Sequence, residues 1–172
     1  DQRLVGLNAD GERQWMFWSY AGLWSRHGLY DLNGDGVDEI VGGNGTVSQM
    51  DGLFFLDGKD TFEKRMSHTG WGSTLLSLRI GDVNADGREE VVVGNSATAL
   101  WVADPQRTDD EELWSRELGH AVSGVEIMEG PNGSQMIVAG SESEFVTAFD
   151  GSGEKLWATA VGAPVLHTAT IG

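Results

Sequence analysis

The chain has 172 residues, enough for one ordinary domain, and it carries 27 acidic against 11 basic residues for a formal charge of −16. That balance repels a nucleic-acid backbone and an anionic membrane surface, and no apolar run is long enough for a transmembrane helix, so nucleic acid and membrane insertion are excluded as partners. The absence of cysteine excludes disulfides and thiolate metal sites, while 25 glycines against 3 prolines favour many short strands joined by tight turns.

In chain order, Leu4-Val5-Gly6-Leu7 is followed by the turn Asn8-Ala9-Asp10-Gly11 and by a strand carrying Trp15. This stretch aligns without gaps on Val146 to Trp157, so the chain is expected to begin in the outer half of a repeat, over residues 1–20. The alignment also makes Asn8 to Gly11 a turn between outer strands rather than a metal loop. Trp24 to Tyr30 reads as an inner strand, followed by Ile40-Val41-Gly42-Gly43 and then by Leu53-Phe54-Phe55-Leu56, which closes on Asp57-Gly58. The next repeat carries Leu75 to Ile80, Val91-Val92-Val93-Gly94, Leu100 to Ala103 and the Trp114 strand. The last carries Ala121 to Ile127, Ile137-Val138-Ala139-Gly140, Val146 to Phe149 and the Trp157 strand. Four strands per period of roughly 40 to 50 residues is the signature of a β-propeller blade.

The expected fold is therefore all-β, with four-stranded antiparallel blades at about 21–66, 67–119 and 120–162 and an innermost strand over 163–172. Two closures are open to such a chain. The terminal pieces can share a blade in a four-bladed ring, or the chain can be part of a larger propeller, which is the expectation preferred here. Open blade edges also permit a self-assembling subunit, a homo-oligomer through those edges.

Two segments carry metal chemistry: Asp31-Leu32-Asn33-Gly34-Asp35-Gly36-Val37-Asp38-Glu39 and Asp82-Val83-Asn84-Ala85-Asp86-Gly87-Arg88-Glu89-Glu90. Side-chain oxygens at positions 1, 3 and 5, a carbonyl at 7 and a carboxylate at 9 offer a hard cation the oxygen ligands that calcium requires. The candidate ligands are Asp31, Asn33, Asp35, the Val37 carbonyl and Glu39, and then Asp82, Asn84, Asp86, the Arg88 carbonyl and Glu90. Position 12, a Glu in an EF-hand, falls on Gly42 and Val93 within strands, so these are strand-loop-strand sites and two Ca2+ ions are expected. The third counterpart, Glu129 to Ser134, lacks the Asp series.

Asp31 to Gly42 and Asp82 to Gly94 resemble the FG-GAP or VCBS calcium-loop repeats of integrin-type heads and bacterial surface proteins. Ala148 to Trp157 resembles the Ala-x-Asp-x-x-x-Gly-x-x-x-Trp signature of quinoprotein-like (PQQ-like) blades, in which Trp15, Trp114 and Trp157 would pack between blades. The resemblance implies a calcium-stabilised, extracellular or cell-surface module that binds carbohydrate or protein in adhesion and is not catalytic. Trp24 and Trp71, near inner strands, are candidates for a sugar-binding surface, and Arg26, His27, His68, Arg79, His120 and His167 are the cationic candidates near the axis. Ser67 to Gly72 is similar to the His-bearing segment of rhamnogalacturonan lyases, which makes a piece of a calcium-dependent polysaccharide lyase the enzymatic alternative.

Overall fold

The computed structural model describes residues 2–19, 27–43, 53–58, 62–66, 74–97, 99–108 and 111–169. Among them are fourteen β-strands and no helix, gathered into four antiparallel sheets of two or four strands. Two compact units divide the chain, residues 1–75 and 76–172.

In the first unit β1 (Gln2–Leu7) and β2 (Arg13–Ser19) form a hairpin, with a register shift at Gly6/Leu7. Then β3 (Gly28–Tyr30), β4 (Glu39–Gly43), β5 (Leu53–Leu56) and β6 (Phe62–Met66) follow one another across a meander. All four residues of β5 are buried, as expected of a continuous apolar run covered on both faces. Phe55 meets Tyr30 edge-on with ring centroids 6.1 Å apart, and Phe17 of the hairpin lies 5.5 Å from Phe54.

The second unit contains β7 (Leu75–Gly81) from its second residue on, with β8 (Glu90–Asn95), β9 (Ala99–Ala103) and β10 (Glu112–Glu117), as one meander. The strands β11 (Val122–Glu129), β12 (Gln135–Ser141), β13 (Phe145–Asp150) and β14 (Lys155–Ala160) form the other. One face of the β7–β10 sheet, with Val92, Leu100, Val102 and Trp114, packs against Val122, Val125, Ile137, Ala139 and Phe149 of the β11–β14 sheet. Sheets with no helices to cover them must bury their apolar faces on one another.

Trp114 anchors that contact. Its indole N–H donates to the Gly151 carbonyl at 2.9 Å, and its ring lies 6.0 Å from that of Phe149. Arg116 donates to the Gly153 carbonyl at 2.9 Å and holds its guanidinium 5.4 Å from the Trp114 ring centroid. Gly153 is doubly constrained, by a φ of 82° and by the Trp114 and Arg116 side chains where a Cβ would stand.

Two features differ from expectation. Residues 163–169, expected to begin an inner strand, pair with no strand among the described residues. Instead the Val165 N–H donates to the Ser141 carbonyl at 3.1 Å, and Val165 and Thr168 lie over Gly140, where the lack of a side chain leaves room. Residues 170–172 lie outside the described part. Trp157, expected to pack like Trp114, is 41 % exposed, and every residue of β14 is exposed. Burial at this position comes from the turn of a neighbouring sheet and not from the strand itself, so the same residue type takes both environments.

The joint predicts a graded loss. Trp114→Ala should cost about 3 kcal/mol or more, as large-to-small core changes do. Trp114→Phe, which keeps an aromatic ring but loses the bond to Gly151, should cost clearly less; equilibrium denaturation of both variants checks the order.

Candidate metal centre

The loop joining β3 to β4 and the loop joining β7 to β8 share most of their hydrogen bonds. In the first, the Asp31 carboxylate accepts from the N–H groups of Gly34, Asp35 and Gly36 at 2.7, 3.1 and 2.8 Å. In the second, Asp82 accepts from Asp86 and Gly87 at 3.1 and 3.0 Å. Asn33 and Asn84 accept from the N–H two residues on at 2.9 and 2.8 Å, and Asp35 and Asp86 do the same at 2.8 and 2.9 Å. These are successive Asx turns, the local geometry that Asp and Asn favour. The backbone turns left-handed at positions 4 and 6, with φ values of 76° and 83° at Gly34 and Gly36 and of 61° and 87° at Ala85 and Gly87. Ala85 is the one residue of the four that pays a steric penalty for it.

Position 9 closes each loop from within the sheet. Glu39 and Glu90 are the first residues of β4 and β8, and both are buried. Glu39 accepts from the Leu32 N–H at 2.8 Å and the Asn33 amide at a long 3.5 Å; Glu90 accepts from the Val83 N–H at 2.9 Å and the Asn84 amide at 3.1 Å. Burial pushes the Glu90 carboxyl up from its ordinary 4.5 to about 7, with Asp86 and Asp82 adding to the rise and the N–H donors opposing it. Asp86 is held below its ordinary value by its bond from Arg88, which also reaches Asp104 at 3.1 Å.

The structure thus brings Asp31, Asn33, Asp35, Val37 and Glu39 into one loop and Asp82, Asn84, Asp86, Arg88 and Glu90 into another. Among the described residues no three carboxylate or imidazole groups converge closely enough to hold an ion as they stand. Their oxygens bind backbone N–H groups instead. The donor set nevertheless fits a hard cation, since carboxylate, amide and carbonyl oxygens keep further lone pairs after accepting one hydrogen bond.

The second loop also touches the next sheet, which sequence patterning does not reveal. Val83 is buried in the core around Trp114, and its carbonyl occupies the space that a Cβ on Gly151 would need. The only signal in the sequence was an apolar residue at position 2 of each loop, Leu32 and Val83.

The other candidates are not gathered into a site. Trp24, Arg26, His68 and Trp71 lie outside the described residues. His27 is exposed ahead of β3 with its ring edge over Gly42, and His120 is exposed in the turn before β11. Arg79 on β7 is paired with Glu126 on β11 through two bonds, the one from Nε at 2.9 Å. His167 is exposed beside a groove of about 360 Å³ that Glu126, Met128 and Val138 also line.

Two consequences can be measured. Because Glu90 is harder to ionise in the folded chain, its contribution to stability is complete below pH 4.5 and is lost as pH rises to about 7. In chelator, Glu90→Gln should therefore gain on the parent chain over that window, seen as a difference between their denaturation midpoints. Ala85→Gly should add about 1 kcal/mol by the same assay, through relief of the left-handed alanine.

A family model described as an FG-GAP-like repeat matches residues 31–93, which include both loops. No curated protein matches the chain significantly. Among solved structures, the computationally designed Ika4 protein is similar with a TM-score of 0.66 at 16% identity, over 94% of this chain and 88% of that one. BBS1N, solved in complex with ARL6DN and soaked with lead, is similar with a TM-score of 0.58 at 8% identity, over 80% of this chain but only 43% of that one. At such identities the likeness is one of fold alone.

Proposed function

We propose that this chain is a run of β-propeller blades, an outer half followed by three full ones, whose two Asp-x-Asn-x-Asp-Gly loops each take a calcium ion that holds the blades rather than reacts. The single observation that supports the reading most is the pair of loops folded by one hydrogen-bond scheme and each closed by a buried glutamate. Burying a carboxylate beside two others is costly unless a cation joins them, and the raised Glu90 carboxyl expresses that cost. The match of residues 31–93 to an FG-GAP-like repeat supports it independently.

An ion that crosslinks acidic loops stabilises by mass action, so the module suits surroundings where calcium is abundant. Such surroundings are found outside the cell and on its surface, where its loops would meet a carbohydrate or protein partner in adhesion. A formal charge of −16 directs it towards neutral or basic partners.

The test is thermal unfolding in calcium and in chelator. With each site at a hundredfold excess over its Kd, the two ions together contribute about 5 kcal/mol, and Tm rises by roughly 10 °C. Asp35→Ala combined with Asp86→Ala should abolish the rise, with each single change leaving about half. Equal melting curves for the parent chain in calcium and in chelator would refute calcium binding.

A further inference from the structure

The two acidic loops differ at position 7, where the first has Val37 and the second Arg88. Each loop holds four acids, Asp31, Asp35, Asp38 and Glu39 in one and Asp82, Asp86, Glu89 and Glu90 in the other, but only the second holds a base. The Arg88 guanidinium joins two carboxylates. Its Nη2 donates to Asp86 Oδ2 at 2.9 Å, and its Nη1 stands 3.1 Å from Asp104 Oδ2.

Asp104 is a firm anchor in the turn between β9 and β10. Its side chain is 1 % exposed, its Oδ1 accepts from the Gln106 N–H at 2.8 Å, and its own N–H donates to the Glu111 carbonyl at 2.9 Å. A buried carboxylate is costly without a cation beside it, so Arg88 stays at Asp104 whatever becomes of Asp86. Ordinary exposed ion pairs are weak because two long side chains must be ordered to form them. Here the guanidinium is already ordered from Asp104, and its hold on Asp86 forfeits less entropy.

What Arg88 holds is the carboxylate at position 5. Asp86 Oδ1 accepts from the Arg88 backbone N–H at 2.9 Å, and Oδ2 accepts from the guanidinium and, at 3.2 Å, from the Asn84 amide. An oxygen with two donors has both lone pairs engaged. In the first loop Asp35 Oδ1 accepts from the Val37 N–H in the same way, but Oδ2 has no donor among the described residues. An acid does stand at the matching place in that unit. Leu56 and Ala103 are the strand partners of the position-10 residues Ile40 and Val91, and they are followed by Asp57 and Asp104. The loops therefore differ in the cation rather than in the acids.

We infer that Arg88 is a built-in counter-ion of the second loop, holding Asp86 where a metal would, so that this loop takes calcium more weakly than the first and does so as the guanidinium gives up Asp86. This rests on the reading of both loops as calcium sites, whose affinity depends on the charge gathered in the loop. Release strands no charge, because Arg88 keeps Asp104. The two ions contribute alike once both sites are full, and the difference between them shows at lower calcium.

Calorimetric titration with calcium tests it. The Asp35→Ala chain keeps the second loop and the Asp86→Ala chain keeps the first, and their affinities should differ by about fivefold or more, with the second weaker. Adding Arg88→Val to Asp35→Ala should tighten the second loop by about the same factor. Because that change leaves Asp104 buried without its cation, it is repeated with Asp104→Asn, which should tighten the loop as well. Lys155→Gln in the Asp35→Ala chain removes an exposed cation of the same unit that makes no ion pair among the described residues, and should change little. In the Asp35→Ala chain the nuclear magnetic resonance signal of the Arg88 Nε–H should shift as the loop fills. Equal affinities in the two single-loop chains, no tightening in either Arg88→Val chain, equal tightening by Lys155→Gln, or an unmoved Arg88 signal each overturns the inference. If the second loop takes no calcium with or without Arg88 while the first still does, this inference alone falls; if neither loop takes any, the calcium reading falls with it.

Discussion

Among the described residues, the β7–β10 and β11–β14 sheets bury apolar side chains on both of their faces, and a sheet with two apolar faces is stable only beside other layers. That constraint governs the rest. The strands of β8 and β5 are buried throughout, so their residues gain nothing from alternation and read as unbroken apolar runs. What fixes one sheet's position on the next is polar and local: the Trp114 N–H on the Gly151 carbonyl, and Arg116 on that of Gly153. Apolar burial supplies the attraction, which has no direction of its own, and the two hydrogen bonds supply the register.

The acidic loops are the second consequence. A loop that must leave β7 and return along β8 has room for a tight series of Asx turns, and the same acids that form the turns gather negative charge at the sheet end. Glu90 is where local folding and electrostatics conflict, since its carboxylate completes the loop's hydrogen bonds yet is driven towards the protonated state by its burial.

Much of the strand plan was legible because it depends on runs of neighbouring residues. The Gly-closed strands ending at Gly43, Gly94 and Gly140, and the turns at Asp57 and Asp150, could be read from apolar runs and turn chemistry alone. The two acidic loops could be located by their spacing, and the Asx turns within them follow from the Asp and Asn at positions 1, 3 and 5. What escaped the sequence depended on neighbours far along the chain. Trp114 and Trp157 are the same residue in the same register, yet one is 8 % exposed and the other 41 %. The carbonyl of Val83 lies against Gly151, more than sixty residues further along the chain, a contact that no local pattern encodes. The segment 163–169 has strand-like composition, but its path is set by the bare backbone of Gly140 and by the Ser141 carbonyl.

The contact of Val83 with Gly151 bears on how such a chain can grow by duplication. The two atoms that meet belong to different sheets, so the part that must be inherited together is not a sheet but the seam between two of them. A copied segment beginning and ending anywhere in the repeat preserves every seam inside it, and creates one new seam where copy meets original. Only at that new seam do loop length and turn side chain have to be matched afresh, as Val83 and Gly151 are matched at the present one. Repeats joined in this way can therefore diverge widely along their strands while the residues at the seams change only in pairs.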